Sequence, residues 1–174
     1  MAIQAQGPRR AAFALLRRPQ CGLRLAVAAI LAWPLLASAL TPARDLAADA
    51  RQMREQHMPM VVLYSRDGCG WCERARVQFL DPLAADPANT SRMLIRQIDV
   101  DRRTAITDFS GKASNHRDFA RQRKVRLTPT VEVLGPDGEP LAEAIVGMGL
   151  PDFYGTYIER AIDTGRDRLR ENTP

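Results

Sequence analysis

The chain has 174 residues, with 25 Lys and Arg against 20 Asp and Glu, a formal charge of +5. That length suits one domain with an appendage. The positive balance is not a nucleic-acid signal: residues 1–39 hold Arg9, Arg10, Arg17, Arg18 and Arg24 and no acid, so the excess lies wholly there. The remainder is formally neutral and shows no basic stripe that would track a phosphate backbone.

Residues 1–39 read as an export signal. The arginine-rich start leads into the apolar stretch Leu25–Leu36, and Ala37-Ser38-Ala39 is a small-x-small cleavage site before Leu40. The run from Leu25 to Leu40 is 16 residues and contains Pro34. A membrane-spanning helix needs about 20. The expected division is a cleaved signal over 1–39 and one domain over 40–174. An uncleaved inner-membrane anchor and an organelle transit peptide are the alternatives; poverty in serine weighs against the latter. Arg9-Arg10 and Arg17-Arg18 lack the residues that follow a twin-arginine export motif. Cys21 follows Arg18-Pro19-Gln20, which is not a lipoprotein signature, and it leaves with the signal. The mature chain then retains two cysteines, Cys69 and Cys72, in a compartment where disulfides persist.

Beyond the signal, Leu46, Ala50 and Met53 fall on one helical face, which predicts a helix that stops near His57 to Pro59. Met60–Tyr64 is an apolar run and predicts a buried strand. Ser65-Arg66-Asp67-Gly68 is the loop that follows, with Asp67 or Ser65 available to cap the next helix. That helix is expected from Cys69 to Leu80, ended or kinked by Asp81-Pro82. Met93–Val100 predicts the second strand, and Asp101–Ser114 reads as loop. A helix is expected over Asn115–Lys124, with Phe119 and Ala120 inward and His116 facing solvent. Thr130–Leu134 alternates as a strand. Gly135-Pro136-Asp137-Gly138 is a hairpin turn, and Leu141–Val146 is its partner strand. Gly147 and Gly149 break that strand, and Pro151-Asp152-Phe153 opens a last helix to about Leu169. This order predicts an α/β fold: a mixed central sheet, parallel crossovers first and an antiparallel hairpin after, with helices on both faces.

Cys69-Gly70-Trp71-Cys72 carries the chemistry. A Cys-x-x-Cys at a strand-to-helix switch puts two sulfurs at a helix N-terminus, where unpaired N–H groups and the helix dipole favour a thiolate. A thiol of pKa ~8.5 is a few per cent ionised at neutral pH, and one of ~7 is about half ionised. Part of that gain is returned, because a less basic thiolate attacks more weakly. As a structural staple the pair closes too short a loop to constrain the unfolded chain much. A zinc site wants four ligands, and a second cysteine pair is lacking. His57-Met58-Pro59-Met60 has soft-metal donors, but Met60 begins a core strand. Trp71 reads as an exposed contact beside the sulfurs, and Glu73 and Arg74 as solvated helix charges.

From about Asp45 to Leu169 the chain resembles the thioredoxin-like proteins, in particular exported bacterial thiol–disulfide oxidoreductases. The residues that carry the resemblance are Val61-Val62-Leu63-Tyr64 feeding Cys69-Gly70-Trp71-Cys72, then Leu127-Thr128-Pro129-Thr130 opening a strand about 57 residues beyond the pair, then Val146-Gly147-Met148 before the final helix. The resemblance implies a thioredoxin fold and a redox-active Cys69–Cys72 disulfide. It implies Cys69 as nucleophile and Cys72 as resolving thiol. It further implies a cis Pro129 against the cysteines, and a substrate-binding surface of Gly70, Trp71, Thr128 and Pro129. Three departures stand out: Leu63 replaces the buried aspartate of cytoplasmic thioredoxins, Gly68 replaces a tryptophan, and Gly-Trp replaces Gly-Pro between the cysteines.

The resulting expectation is a periplasmic thiol–disulfide oxidoreductase acting as a reductant, without cofactor or metal. Its partners are protein thiols or disulfides and a redox partner protein, not nucleic acid, and a monomer is expected. The alternatives are a disulfide oxidase or isomerase, or a copper or zinc carrier using Cys69, Cys72 and His57.

Overall fold

Asp45 opens the domain's first helix: its carboxylate accepts a bond from the Ala48 N–H at 2.9 Å, satisfying one of the free donors of the first turn. The computed structural model describes residues 40–171. The predicted signal over 1–39, its cleavage site and Cys21 lie outside the described residues. After a two-residue strand β1 (Thr41–Pro42), helix α1 runs Leu46–Gln56 and buries Leu46, Asp49, Ala50 and Met53. It ends at His57 in the left-handed conformation (φ 49°).

Strand β2 (Met60–Ser65) is buried at all six positions. It pairs in parallel with β3 (Leu94–Asp99), Met60 opposite Leu94 and Ser65 opposite Asp99. On its other side it pairs antiparallel with β6 (Thr130–Leu134), Tyr64 opposite Thr130. With β7 (Ile145–Val146) the five-stranded order is β1-β3-β2-β6-β7. Because side chains alternate along β2, it feeds two cores. Val61 and Leu63 pack with Ala75, Leu80, Tyr154, Ile158 and Ile162; Met60, Val62 and Tyr64 pack with Leu46, Met53, Phe119 and Ala120. Among the described residues, no helix is long and apolar enough to cross a membrane.

The helical stretch after the cysteines is longer than expected. It comprises α2 (Gly70–Ala75), a wide π-turn (Arg76–Leu80) and α3 (Asp81–Ala85). Pro82 was expected to end or kink it near Leu80. The Asp81 N–H instead reaches back five residues to Arg76 O, and Pro82 sits in the first turn of α3, where its missing N–H is harmless. The segment Asp101–Ser114 is not loop alone. It holds a small hairpin, β4 (Ala105–Thr107) with β5 (Ala113–Asn115), turned on Asp108, whose Oδ1 accepts from the N–H groups of Ser110 and Lys112. Its strands are three residues long with only Ile106 buried, so no alternation announces them.

Two further expectations are corrected. The partner strand of β6 narrows to Ile145–Val146, because Leu134 opposes Pro140 whereas Val131 opposes Ile145. Two extra residues are therefore accommodated between those pairs, and the strand bulges. His116, the first residue of α4 (His116–Gln122), is fully buried rather than solvent-facing. Its Nδ1 accepts from the Asp99 N–H at 3.1 Å, and its Nε2 donates to Ala43 O at 2.8 Å. Those bonds require the neutral ring and join the end of β3 to the chain before α1. The last helix, α5, runs Tyr154–Glu171 after a single 3₁₀ turn at Pro151–Phe153.

A polar knot crosses the second core. The Tyr64 hydroxyl donates to Glu132 Oε2 at 2.8 Å, and Arg123 Nε donates to the same oxygen at 2.6 Å. Burial, reinforced by the Glu132 charge, holds the Tyr64 hydroxyl well above its ordinary pKa. Removing Glu132 strands a mostly buried guanidinium and a buried hydroxyl. Glu132→Ala is expected to cost roughly 2–4 kcal/mol in denaturant unfolding. The Tyr154 hydroxyl, in the first core, has no hydrogen-bond partner among the described residues, and burial pushes its pKa up to about 12. A phenol that ionises later when folded than when unfolded supports the fold fully below pH ~10 and progressively less above it. Tyr154→Phe should therefore be neutral or stabilising at pH 7 and should flatten the loss of stability between pH ~10 and ~12, read from urea midpoints across pH.

Candidate functional site

The cysteines sit where β2 hands the chain to α2. β2 ends at Ser65, three exposed residues follow, and Gly68 turns the chain with φ 69°. Cys69 is extended (φ −89°, ψ 96°) and is itself the N-cap: its Sγ accepts from the Cys72 N–H at 3.1 Å, and its carbonyl accepts from the N–H groups of Cys72 and Glu73. Neither Asp67 nor Ser65, the residues expected to cap, does so. Asp67 is turned away, bonded through both carboxylate oxygens to Arg102 at 2.7 and 2.8 Å, while its N–H donates to Asp101 Oδ2. The two sulfurs form a disulfide with Cα atoms 5.2 Å apart. Cys69 is half-buried and Cys72 is buried. One sulfur thus faces the surface and its partner lies one turn in.

The start of β6 closes over the surface-facing sulfur. Cys69 Sγ lies 3.9 Å from Thr128 O and 3.7 Å from Thr128 Oγ1, across 59 residues of sequence. The Thr128–Pro129 bond is cis, and Pro129 is buried. The carbonyls on either side of Thr128 are occupied: Pro129 O accepts from the Gly147 N–H and Leu127 O from Thr130 Oγ1. No backbone partner for Thr128 is found among the described residues. Trp71 is 54 % exposed with the Arg74 guanidinium 5.7 Å over its ring, and Leu127 is 62 % exposed. An apolar, wettable rim therefore adjoins the sulfurs.

The model of a thioredoxin-like domain family matches residues 46–161. The chain belongs to the thioredoxin-like family. Among solved structures, thioredoxin-like folds recur at low identity. Mitochondrial thioredoxin 3 of Saccharomyces cerevisiae is 19% identical, with 72% of this chain and 94% of that one covered and a TM-score of 0.48. Trichomonas vaginalis thioredoxin is 19% identical over 73% and 97%, TM-score 0.48. A poplar thioredoxin h mutant is 14% identical over 77% and 87%, TM-score 0.49. Likeness at that level says nothing of substrate. No curated protein matches significantly. A thioredoxin-like domain with a bonded Cys-x-x-Cys pair is a scaffold for thiol–disulfide redox chemistry.

Within this thioredoxin-like domain, Leu63 is fully buried in the core that also holds Ala75, one turn beyond Cys72. No carboxylate stands at that position. The most buried carboxylate among the described residues, Asp49, is bound by Arg96 through two bonds of 2.6 and 2.9 Å. His57 lies before the start of β2 and the cysteines beyond its end, six strand residues apart, or about 20 Å. Met58 and Met60 are core. The three donors of the carrier alternative are therefore not brought together, and among the described residues no cluster of metal-ligating side chains is found.

Beside Cys69 lies a cavity of about 430 Å³ lined by Ser65, Asp67, Gly68, Gly70, Glu73 and Asp99, among others. Sequence reasoning missed Asp101 and Arg102, which anchor the cysteine loop. Their signal was the charged run Asp99–Arg103 at the end of a strand. Because β2 and β3 run parallel and in register, the segments leaving their C-terminal ends must emerge side by side. Glu73 is exposed, as expected of a solvated helix charge, and also pairs with Arg76 at 2.6 Å, while Arg76 meets Asp81 at 2.6 Å.

The capping role of Cys69 is testable apart from its redox role. Serine preserves an acceptor at the N-cap and alanine does not. Cys69→Ala is expected to be less stable than Cys69→Ser by ~0.5–2 kcal/mol in urea unfolding under reducing conditions.

Proposed function

We propose that this protein is an exported thiol–disulfide oxidoreductase that reduces protein disulfides in the periplasm. The observation that carries the reading is the asymmetry of the pair: Cys69 half-buried against Thr128 at the head of α2, and Cys72 buried one turn in. The helix N-terminus and the Cys72 N–H favour a thiolate at Cys69. In the reducing direction, that thiolate attacks one sulfur of a partner disulfide and expels the other as a thiolate, which takes up a proton. The Cys72 thiolate then attacks Cys69 Sγ, closing the Cys69–Cys72 disulfide and releasing the second partner thiol. Two electrons pass to the partner, no cofactor is needed, and a redox partner protein restores the dithiol.

Gly70, Trp71, Thr128 and Pro129 form the substrate-binding surface in this reading. An extended partner segment pairs with the unoccupied backbone of Thr128 in the manner of an added strand. Export rests on the acid-free, arginine-rich start and the small-x-small site before Leu40. The disulfide would persist in the periplasm. Retention at the inner membrane follows if the signal stays uncleaved.

Turnover of a model protein disulfide by a small dithiol tests the assignment. Cys69→Ser is expected to abolish it. Cys72→Ser is expected to accumulate a mixed disulfide between Cys69 and substrate, seen by non-reducing gel and mass. Unchanged turnover in Cys69→Ser would sink the reading. Equilibration in glutathione buffers, with the oxidised fraction read at each ratio, assigns direction: a potential near or below that of glutaredoxins fits a reductant, and one near −120 mV an oxidase.

A further inference from the structure

The charges around the disulfide are unevenly compensated. On the cavity flank, each carboxylate has a partner: Asp67 is bonded to Arg102, Glu73 to Arg76, Asp99 accepts from Gln97 Nε2 at 2.8 Å, and Asp101 accepts from the Asp67 N–H. Arg66 lines the same cavity. The flank made by Trp71 and the chain entering Thr128 differs. Residues 119–131 contain no acid but four cations, and residues 144–151, which run through the β6 partner strand and past Gly147, contain no charge. Of the four cations, Arg123 is held by Glu132, and Arg121 faces Asp118 at 3.8 Å. Lys124 and Arg126 are exposed and have no carboxylate partner among the described residues. Arg74, stacked over Trp71, bonds the neutral amide of Gln78 and, among the described residues, no carboxylate.

We propose that the partner segment captured at Thr128 carries carboxylates beside its cysteine, and that Arg74, Lys124 and Arg126 select it. The inference deepens the oxidoreductase reading and rests on it. Arg74 stacks over Trp71, which adjoins Cys72, and Arg126 and Lys124 precede Thr128 by two and four residues, so in this reading the residues flanking a captured cysteine meet these three cations. Residues 40–174 are formally neutral, so attraction does not come from the net charge of the domain. It is local and acts within a Debye length, about 10 Å at 0.1 M salt. Exposed pairs of this kind are individually weak and act mainly on encounter and register. Two or three of them give a discrimination of roughly threefold to tenfold in rate.

Three peptides that differ only in the residues flanking a single cysteine test this: glutamate, glutamine or lysine, each activated as a mixed disulfide with the same small thiol. The reduced full chain is mixed with each, and the rate of thiol release is followed at low salt and at about 0.5 M NaCl, where the Debye length falls to a few ångström. The expected order is glutamate, then glutamine, then lysine, with the gap closing at high salt and inverting in Arg74→Glu/Arg126→Glu. The readout is the ratio of rates within each protein, so a general loss of activity in the variant does not enter it. If that variant fails to fold by circular dichroism, the salt dependence of the parent decides. Equal rates for the three peptides, or a preference for lysine, overturn the proposal. Failure to react even with a small uncharged disulfide overturns the oxidoreductase reading beneath it.

Discussion

The geometry of the site depends on β2. It is bonded on both edges, to β3 and to β6, and covered on both faces by separate cores. A strand so confined cannot slip by one residue without exchanging Val61 and Leu63 for Val62 and Tyr64, which would mismatch both cores at once. Its C-terminal end is therefore a defined point. From it a three-residue connection, Arg66–Gly68, delivers Cys69 to the head of a helix. The antiparallel pairing of Tyr64 with Thr130 sets the start of β6 beside that same end, and this brings Thr128 to the sulfur. Pairing at one end of β2 and burial along it thus bring together two segments that are 59 residues apart.

The surroundings of the sulfurs combine an apolar floor at Leu63, exposed Trp71 and Leu127 beside them, and charged side chains around them. Leu63 below the helix offers no charge and no proton acceptor. At the surface, Asp67 and Glu73 are each tied to an arginine, so what a passing molecule meets is shaped more by the cations left over than by the acids nearest in sequence.

The features with a strong local physical signature were legible from sequence. β2 and β6 announce themselves by apolar run and alternation, α1 by its Leu46, Ala50, Met53 face, and the turn at Gly135–Gly138 by its residue chemistry. The cysteine pair was placed at the correct strand-to-helix switch. What escaped depends on contacts made across the fold. The hairpin β4–β5 has strands too short for a period. The burial of His116 follows from Asp99 and Ala43, distant in sequence. The cap of α2 is expected from Asp67 or Ser65 by general preference, yet tertiary pairing with Arg102 takes the Asp67 carboxylate away and the sulfur of Cys69 caps the helix. The π-turn at Arg76–Leu80 likewise has no signature of its own beyond the proline it accommodates.

Both margins of the sheet are blunt. β1 is two residues long and ends in proline, and β7 is two residues long, preceded by the bulge after Pro140 and followed by Gly147. Neither presents a ladder of free donors and acceptors long enough to recruit another chain side by side. A protein of this build can keep a sticky, open backbone stretch beside its sulfurs and still resist stacking into polymers. The open backbone of Thr128 lies instead just before β6, an interior strand, away from both margins.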